Sequence, residues 1–255
     1  MFGHTDEHGQ PDAFHHYTMK QAIEEGFILD TLQNYTTYDT FFGLVKKIEE
    51  DKRLDKKKGS KALARFLSLH PHNVGQKTEI IVEHFQRSTR HLIQGKAKAM
   101  VVCGSRLHAV RYKLTFDEYI REHGYDDLGV LVAFSDTVTD PDTGKNYTEE
   151  DMNRGIKQSE LPRKFNTDQY RLLIVANKYQ TGFDQPLLHT MYVDKRLAGI
   201  QAVQTLSRLN RKPDGKEDTF VLDFVNERQQ ILDSFKPFYE RTTIDEDVDP
   251  QKLYD

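Results

Sequence analysis

The sequence predicts an α/β fold, in which a doubly wound, mainly parallel sheet carries helices on both faces and follows an N-terminal helical segment. Short runs of consecutive apolar residues recur after residue 97, and segments of helical length separate them. A strand that is apolar throughout is typical of a sheet covered on both faces, because each of its side chains meets another layer. A chain of 255 residues is long enough for one such domain with a helical appendage.

The chain before residue 95 shows helical patterns. Apolar residues within Thr18–Asn34 recur on roughly one helical face, which predicts a helix after an irregular opening segment. Two further helices are predicted at Ser60–His70 and Gln76–Gln94, with a proline between them. Residues 49–58 are almost entirely charged and are typical of a solvated segment. We therefore assign residues 1–94 to an N-terminal linker and helical segment.

Five apolar runs predict the strands of the sheet. They are Lys98–Cys103, Gly129–Phe134, Tyr170–Ala176, Thr190–Val193 and Phe220–Phe224. Helices are predicted at Ser105–His123, about Thr148–Leu161, Gly199–Arg211 and about Glu227–Phe238. Because helices separate the strands, residues 95–240 are assigned to one α/β domain, which leaves residues 241–255 as an acidic tail.

Composition excludes several classes of protein. With 37% hydrophobic and 30% charged residues, the chain has the balance of a globular protein and not of a disordered one. The single cysteine, Cys103, excludes a disulfide framework and is expected to be a buried, unreactive thiol. The sequence contains no apolar run of membrane-spanning length and no signal peptide, so we expect a cytoplasmic protein without a membrane partner. Its histidines lack neighbouring ligands at regular spacing, so no metal site is expected.

The first candidate site is the segment Thr181-Gly-Phe-Asp-Gln-Pro, which follows a predicted strand. In parallel sheets, functional residues lie on loops at the carboxyl ends of strands. Gly182 lets a ligand approach the backbone closely, and Thr181 offers a hydroxyl and an amide to a phosphate oxygen. Asp184 can orient an arginine or accept a hydrogen bond from a ribose hydroxyl. A simple turn is the alternative interpretation.

The second candidate site is a predicted helix that carries Gln204, Arg208 and Arg211. Their spacing of four and three residues would place them on one helical face. Two arginines that point the same way repel each other unless an anion or carboxylates lie between them. Enzymes of phosphoryl transfer use such arginines to neutralise the charge that develops on a γ-phosphate. The alternative is a surface helix whose arginines are solvated or paired with acids.

The third candidate site is Ser105-Arg106, between a predicted strand and the helix that follows. Backbone N–H groups at a helix start, together with a hydroxyl and a guanidinium, can hold a phosphate group. The alternative is that Ser105 only caps the helix.

The order of these three sites resembles motifs IV, V and VI of superfamily 2 helicases. The closer resemblance is to the motor (R) subunit of type I restriction-modification enzymes, carried by Ile174–Pro186, Met191–Lys195 and Gln204–Arg211. Gln21–Gly26 is similar to the segment that links the two motor domains in that family. The resemblance covers nearly the whole chain, although many superfamily relatives have glycine where this chain has serine and asparagine at positions 207 and 210.

This resemblance implies the second RecA-like domain of an ATP-driven double-stranded-DNA translocase. Arg208 and Arg211 would be catalytic arginine fingers that reach ATP held by the preceding RecA-like domain. Gly182, Asp184 and Gln204 would take part in ATP binding. ATP and Mg²⁺ are expected in the intact protein, bound mainly by the preceding domain.

The resemblance also implies contacts with DNA. Ser105, Arg106 and Thr181 would hold backbone phosphates of the tracking strand. The implied partners are double-stranded DNA, the preceding RecA-like domain and the specificity and methyltransferase subunits of a restriction complex. Sequence specificity is expected to come from a partner subunit, because nothing in this sequence resembles a base-reading module.

The sequence lacks the other parts of such an enzyme. It has no Gly-x4-Gly-Lys-Ser/Thr loop, and Gly75-Gln-Lys-Thr78 is the nearest approach to one. It also shows no acidic Mg²⁺-binding box and no nuclease constellation. We therefore expect this chain to be part of an ATP-dependent type I site-specific deoxyribonuclease and to be inactive by itself.

Two other functions are consistent with an α/β fold. One is a non-catalytic module that binds nucleic acid or another subunit and has kept the fold without the motor. The other is an oxidoreductase with a nucleotide cofactor, which is disfavoured because no Gly-x-Gly-x-x-Gly segment follows any predicted strand.

Overall fold

A six-stranded sheet forms the centre of the protein in a computed structural model, which describes residues 18–41, 74–179 and 183–239 and the backbone of 4–5 and 11–12. All neighbouring strands of this sheet are parallel. In chain order the strands are β1 (Tyr35–Thr37), β2 (Lys98–Cys103), β3 (Gly129–Ala133), β4 (Tyr170–Ala176), β5 (Leu188–Asp194) and β6 (Phe220–Asp223). Across the sheet they lie in the order β1-β6-β5-β2-β4-β3.

The helices connect or flank these strands. In chain order they are α1 (Met19–Glu24), α2 (Val74–His84), α3 (Leu92–Gly95), α4 (Arg106–His123), α5 (Glu149–Met152), α6 (Leu161–Phe165), α7 (Gly199–Leu206) and α8 (Arg228–Tyr239). A π-helical stretch, Phe85–Thr89, follows α2, and a 3-10 turn, Ser207–Leu209, follows α7. Two short antiparallel ladders, His4–Thr5 with Pro11–Asp12 and Val138–Thr139 with Asn146–Tyr147, lie outside the main sheet.

The predicted doubly wound α/β fold is confirmed, because each face of the sheet has its own core. Alternate residues of β2 divide between them: Val101 contributes to one core and Met100 to the other. The first core includes Tyr112 from α4, and the second includes Leu206 from α7 and Phe235 from α8. Helices therefore cover both faces, as continuous apolar strands require.

All five predicted strands are present, with ends that differ by at most two residues. The sequence did not indicate the sixth strand, β1, which pairs in parallel with β6. The phenol of Tyr35 on β1 donates a hydrogen bond of 2.7 Å to the buried carboxylate of Asp223 on β6. A part of the N-terminal segment thus completes one edge of the sheet.

The predicted helices near the N-terminus are partly wrong. The helix predicted at Thr18–Asn34 covers only Met19–Glu24. Thr18 and Gln21 form a capping box at its start, and Gly26 adopts a left-handed conformation with φ of 74° after its end. The helix predicted at Gln76–Gln94 divides into α2, the π-helical stretch and α3. The helix predicted at Ser60–His70 lies outside the described residues, as does the acidic tail.

Side chains close the outer edge of β3. The Asn153 amide accepts a hydrogen bond from Val132 N at 2.9 Å and donates one to Val132 O at 2.7 Å. Glu149 accepts hydrogen bonds from Phe134 N at 2.8 Å and from Lys178 Nζ at 2.6 Å. These contacts satisfy backbone groups that an edge strand would otherwise expose.

Two findings concern the expectations drawn from composition. The Cys103 thiol is buried and free, and burial raises its pKa, so the expectation of a buried thiol is confirmed. Among the helices of the described part of the chain, none is both long and apolar enough to cross a bilayer.

Replacing Gly129 by alanine is expected to destabilise the chain. A Cβ atom at Gly129 would lie 2.1 Å from the carbonyl oxygen of Gln169, so the backbone at the start of β3 or β4 would have to move. Overpacking of this kind typically costs about 1–3 kcal/mol. Chemical denaturation should show a lower midpoint. Gly104→Ala is the matched control, because its added Cβ would meet only Asp194 O at 3.6 Å. Equal midpoints for the two variants would contradict this prediction.

Candidate functional site

The end of the loop after β4 meets the turn after α7. Arg211 Nε donates a hydrogen bond to Asp184 Oδ1 at 3.1 Å, and Arg208 Nη1 donates one to Phe183 O at 2.8 Å. The Asp184 and Arg211 side chains are 66% and 55% exposed. An exposed ion pair of this kind contributes little to stability. The structure therefore brings Asp184 together with Arg208 and Arg211, which lie more than twenty residues further along the chain.

The arginines do not meet in the predicted way. The helix predicted at Gly199–Arg211 ends as an α-helix at Leu206, so Gln204, Arg208 and Arg211 do not share one α-helical face. Arg208 lies on the 3-10 turn, and Arg211 follows it. Pro213 disfavours a helical conformation at the preceding residue, and helices commonly end in a 3-10 turn. Gln204 lies on α7 with an exposed side chain.

The two guanidinium groups of this cluster lie close enough for each to act on the charge of the other. Burial and the neighbouring guanidinium of Arg211 lower the pKa of Arg208, while Asp184 raises it. Two like charges this close favour an anion beside them, and guanidinium groups bind phosphate oxygens in a favourable planar geometry.

The backbone of the arginine-bearing segment, defined here as residues 207–211, is held from two sides. Leu29 N, in the segment before β1, donates a hydrogen bond of 2.9 Å to Asn210 O. The buried Lys216 ammonium donates to Leu209 O at 2.6 Å and to Leu188 O, at the start of β5, at 2.7 Å. The segment therefore lies near the amino end of β5.

Two of the predicted site residues, Thr181 and Gly182, lie outside the described residues. The proposed contacts of Thr181 with DNA and of Gly182 with ATP remain predictions.

Ser105 and Arg106 lie at the opposite end of the parallel strands, after the carboxyl end of β2. Ser105 is the N-cap of α4, and its hydroxyl accepts a hydrogen bond of 3.1 Å from His108 N. Arg106 Nη1 donates to Ser135 O at 3.0 Å and to Asp136 Oδ2 at 2.8 Å. Both Ser105 and Arg106 are exposed. Ser105 therefore caps the helix. Its hydroxyl and the Arg106 guanidinium are nevertheless exposed, so capping does not exclude a phosphate contact.

A buried carboxylate lies close to this helix start. Asp194, at the end of β5, accepts hydrogen bonds from Lys77 Nζ at 2.7 Å and Tyr112 OH at 2.8 Å. His108 Nε2 lies 3.3 Å from the same carboxylate, and burial lowers the pKa of this histidine. Asp194 thereby connects α2, α4 and β5. Lys77, which belongs to the segment nearest to a phosphate-binding loop in sequence, instead forms a buried ion pair.

The candidate residues thus form two groups. Ser105 and Arg106 follow the carboxyl end of β2, and Arg208 and Arg211 lie near the amino end of β5, which is the parallel neighbour of β2. The rule that functional residues follow the carboxyl ends of strands locates only the first group. Within the described residues, no cluster of three or more histidine, cysteine, aspartate or glutamate side chains is arranged to hold a metal ion.

The order of the parallel strands and the helices on both faces of the sheet define an α/β protein of the RecA-like class. A solved structure, the ATP-dependent type ISP restriction-modification enzyme LlaBIII bound to DNA, has a similar fold. It matches with a TM-score of 0.50 and 12% sequence identity, over 88% of this chain and 15% of that one.

Sequence comparison gives a narrower similarity. Residues 133–226 match the family described as type I restriction enzyme subunit R domain 3. The MjaVIIP type I restriction enzyme endonuclease subunit of Methanocaldococcus jannaschii is 29% identical over 199 residues, which are 71% of this chain and 18% of the relative. The SauCOLORF180P endonuclease subunit of Staphylococcus aureus is 30% identical over 105 residues, 39% of this chain and 10% of that protein.

The predicted resemblance to the R subunits of type I restriction enzymes is therefore confirmed. The chain spans less than a fifth of the length of either of these relatives.

Proposed function

We propose that this chain is the second motor domain of an ATP-dependent double-stranded-DNA translocase, within the R subunit of a type I restriction enzyme. In this role, ATP-driven translocation precedes DNA cleavage. The observation that carries the proposal is the contact of Phe183 and Asp184 with Arg208 and Arg211. It couples the loop after β4 to two guanidinium groups at the protein surface.

In the proposed mechanism, Arg208 and Arg211 act as arginine fingers. They stabilise negative charge that develops on the γ-phosphate of ATP, which the preceding RecA-like domain and Mg²⁺ hold. Asp184 orients Arg211, and the Phe183 carbonyl orients Arg208. Gly182 and Gln204 complete the ATP-binding surface of this domain. The proximity of two guanidinium groups supports a polyphosphate as the ligand.

The proposed DNA contacts use the opposite end of the parallel strands. Ser105 and Arg106 hold backbone phosphates there, aided by the N–H groups at the start of the eighteen-residue helix α4. Thr181, which lies outside the described residues, is proposed to hold a further phosphate of the same strand. The ion pair with Asp136 is exposed, so a phosphate can compete for the Arg106 guanidinium at modest cost. The separation of the two groups supports a motor in which ATP and DNA are bound at different places.

The partners follow from the restriction-enzyme context. They are double-stranded DNA, the preceding RecA-like domain, and the specificity and methyltransferase subunits, in the cytoplasm. The relatives in Methanocaldococcus jannaschii and Staphylococcus aureus are endonuclease subunits, and LlaBIII is an ATP-dependent enzyme bound to DNA. We propose that the chain contributes to a type I site-specific deoxyribonuclease but has no activity alone.

ATP hydrolysis by the full-length protein tests this function. Turnover is expected to rise when double-stranded DNA is added, and a single strand of the same length is the control. If double-stranded DNA leaves turnover unchanged, the chain is not a motor half. The alternative of a non-catalytic module that binds nucleic acid or a subunit would then take its place.

Arg106→Ala is expected to weaken DNA binding for every sequence alike. Loss of one phosphate contact should reduce the slope of log K against log salt by about 0.9. Binding is measured by fluorescence anisotropy at several salt concentrations. Arg163→Ala is the matched control, since its side chain on α6 is 79% exposed and pairs only loosely with Glu160 at 3.6 Å. Coinciding slopes for the Arg106 variant and the wild type would remove the proposed phosphate contact.

A further inference from the structure

Lys216 is a buried lysine to which no motif drew attention. It is 2% exposed and lies after the arginine-bearing segment. Its ammonium donates to Leu209 O at 2.6 Å and to Leu188 O at 2.7 Å. Leu209 directly follows Arg208 in the chain, and Leu188 is the first residue of β5. One side chain therefore connects the backbone between the two arginines to the central sheet.

The chemistry of this contact favours a positioning role over a purely stabilising one. Carbonyl groups at the end of a helical turn have no partner within the helix, and a cation placed there is favourable. However, burial of an ammonium group is costly, and here it lowers the pKa of Lys216 to about 7. An apolar side chain would fill the same space without that cost, but it could not hold two carbonyl oxygens together.

We propose that Lys216 is a positioning residue for ATP hydrolysis, which sets the place of Arg208 and Arg211 by fixing the Leu209 carbonyl against the start of β5. This inference rests on the proposed function of the two arginines. Lys216 itself touches no reacting group. Its effect passes through the backbone of the turn, whose arginine side chains then bind the Phe183 carbonyl and Asp184.

Lys98 provides a matched control for substitutions of Lys216. This lysine is also buried, and its ammonium also donates to two backbone carbonyls, Thr167 O at 2.8 Å and Tyr170 O at 2.7 Å. Burial lowers its pKa as well, to about 8. Neither of its carbonyl partners belongs to the arginine-bearing segment. Lys98→Met and Lys216→Met therefore remove the same kind of interaction. Only Lys216→Met removes a contact with the arginine-bearing segment.

The test compares both variants in the full-length protein, below the melting temperature of each. Lys216→Met is expected to lower kcat of DNA-stimulated ATP hydrolysis by about 10- to 100-fold, since displacing a catalytic group by roughly 1 Å can cost as much. KM for ATP should change little, because the preceding domain supplies most of the binding. Lys98→Met should keep kcat close to wild type. Equal losses of kcat in the two variants would overturn the inference.

A second variant keeps the test decisive if Lys216→Met does not fold. Lys216→Gln retains an amide that can donate to one of the two carbonyls, so we expect an intermediate loss of kcat at unchanged KM. Unchanged kcat in Lys216→Gln, or a change confined to KM, would contradict the positioning role. Arg211→Ala separates the two proposals: if it abolishes hydrolysis while Lys216 variants do not, only the inference about Lys216 fails. If Arg211→Ala has no effect, the proposed function fails first.

Discussion

Replacing Arg211 by alanine in the full-length protein is expected to lower ATP turnover about 1,000-fold or more, while ATP still binds. An arginine finger contributes roughly 10³- to 10⁵-fold to kcat, because its guanidinium neutralises charge that grows in the transition state. Arg208→Ala should have an effect of the same order. Turnover is measured with saturating double-stranded DNA, and ATP binding is measured in parallel by calorimetry.

Three further variants sharpen this prediction. Lys212→Ala removes an exposed neighbouring positive charge and should leave turnover close to wild type. Arg211→Lys keeps the charge without the planar pair of donors, so most of the loss should persist. Asp184→Asn should give a smaller loss, since it weakens the orientation of Arg211 and leaves the guanidinium in place. Equal turnover for Arg211→Ala and Lys212→Ala would exclude the arginine-finger role.

Replacing Asp194 by alanine is expected to destabilise the fold by about 3–5 kcal/mol, the cost of leaving a buried charge without its partner. The Asp194 side chain is only 4% exposed and the Lys77 side chain 15% exposed, so little water can replace the lost carboxylate. Tyr112 would lose its hydrogen-bond acceptor as well. A loss of this size is a large fraction of the stability of a typical domain. Urea denaturation monitored by circular dichroism measures it.

The comparison for Asp194 is Asp136, whose carboxylate pairs with Arg106 but is 80% exposed. Asp136→Asn removes this charge and should cost less than about 1 kcal/mol, as exposed pairs do. Asparagine also tolerates the left-handed backbone of this residue, whose φ is 59°. The double variant Asp194→Ala/Lys77→Met should recover part of the lost stability, because no buried ammonium is then left unpaired. If Asp194→Ala is no more destabilising than Asp136→Asn, the Asp194–Lys77 pair is not a main source of stability.

Most strands of the sheet could be predicted because their pattern of apolar residues is local in the sequence. A strand buried on both faces, such as β2 or β4, is apolar at consecutive positions, and that pattern is visible without any knowledge of the fold. Strand β1 has only three residues, which is too short for any periodicity to appear. Its place in the sheet depends on the contact of Tyr35 with Asp223, 188 residues further along the chain. No local pattern can report such a contact.

The sequence indicated candidate residues, whose roles remain predictions, but it did not indicate their geometry. Arginine spacing indicated one helical face, yet Arg208 and Arg211 are brought together by Phe183 and Asp184 across the fold. The role of Lys216 was beyond reach for a similar reason. A lysine in a polar loop sequence is normally exposed, and only the tertiary structure reveals that this one is buried on two carbonyls.

The hydrogen bond from Leu29 N to Asn210 O has a mechanical consequence. Leu29 belongs to the stretch between α1 and the edge strand β1, so a pull along that stretch acts on a peptide group directly beside Arg211. A shift of this stretch would therefore act on the backbone that carries Arg211. The turn that carries the arginines is thereby mechanically tied to the polypeptide that precedes the edge strand.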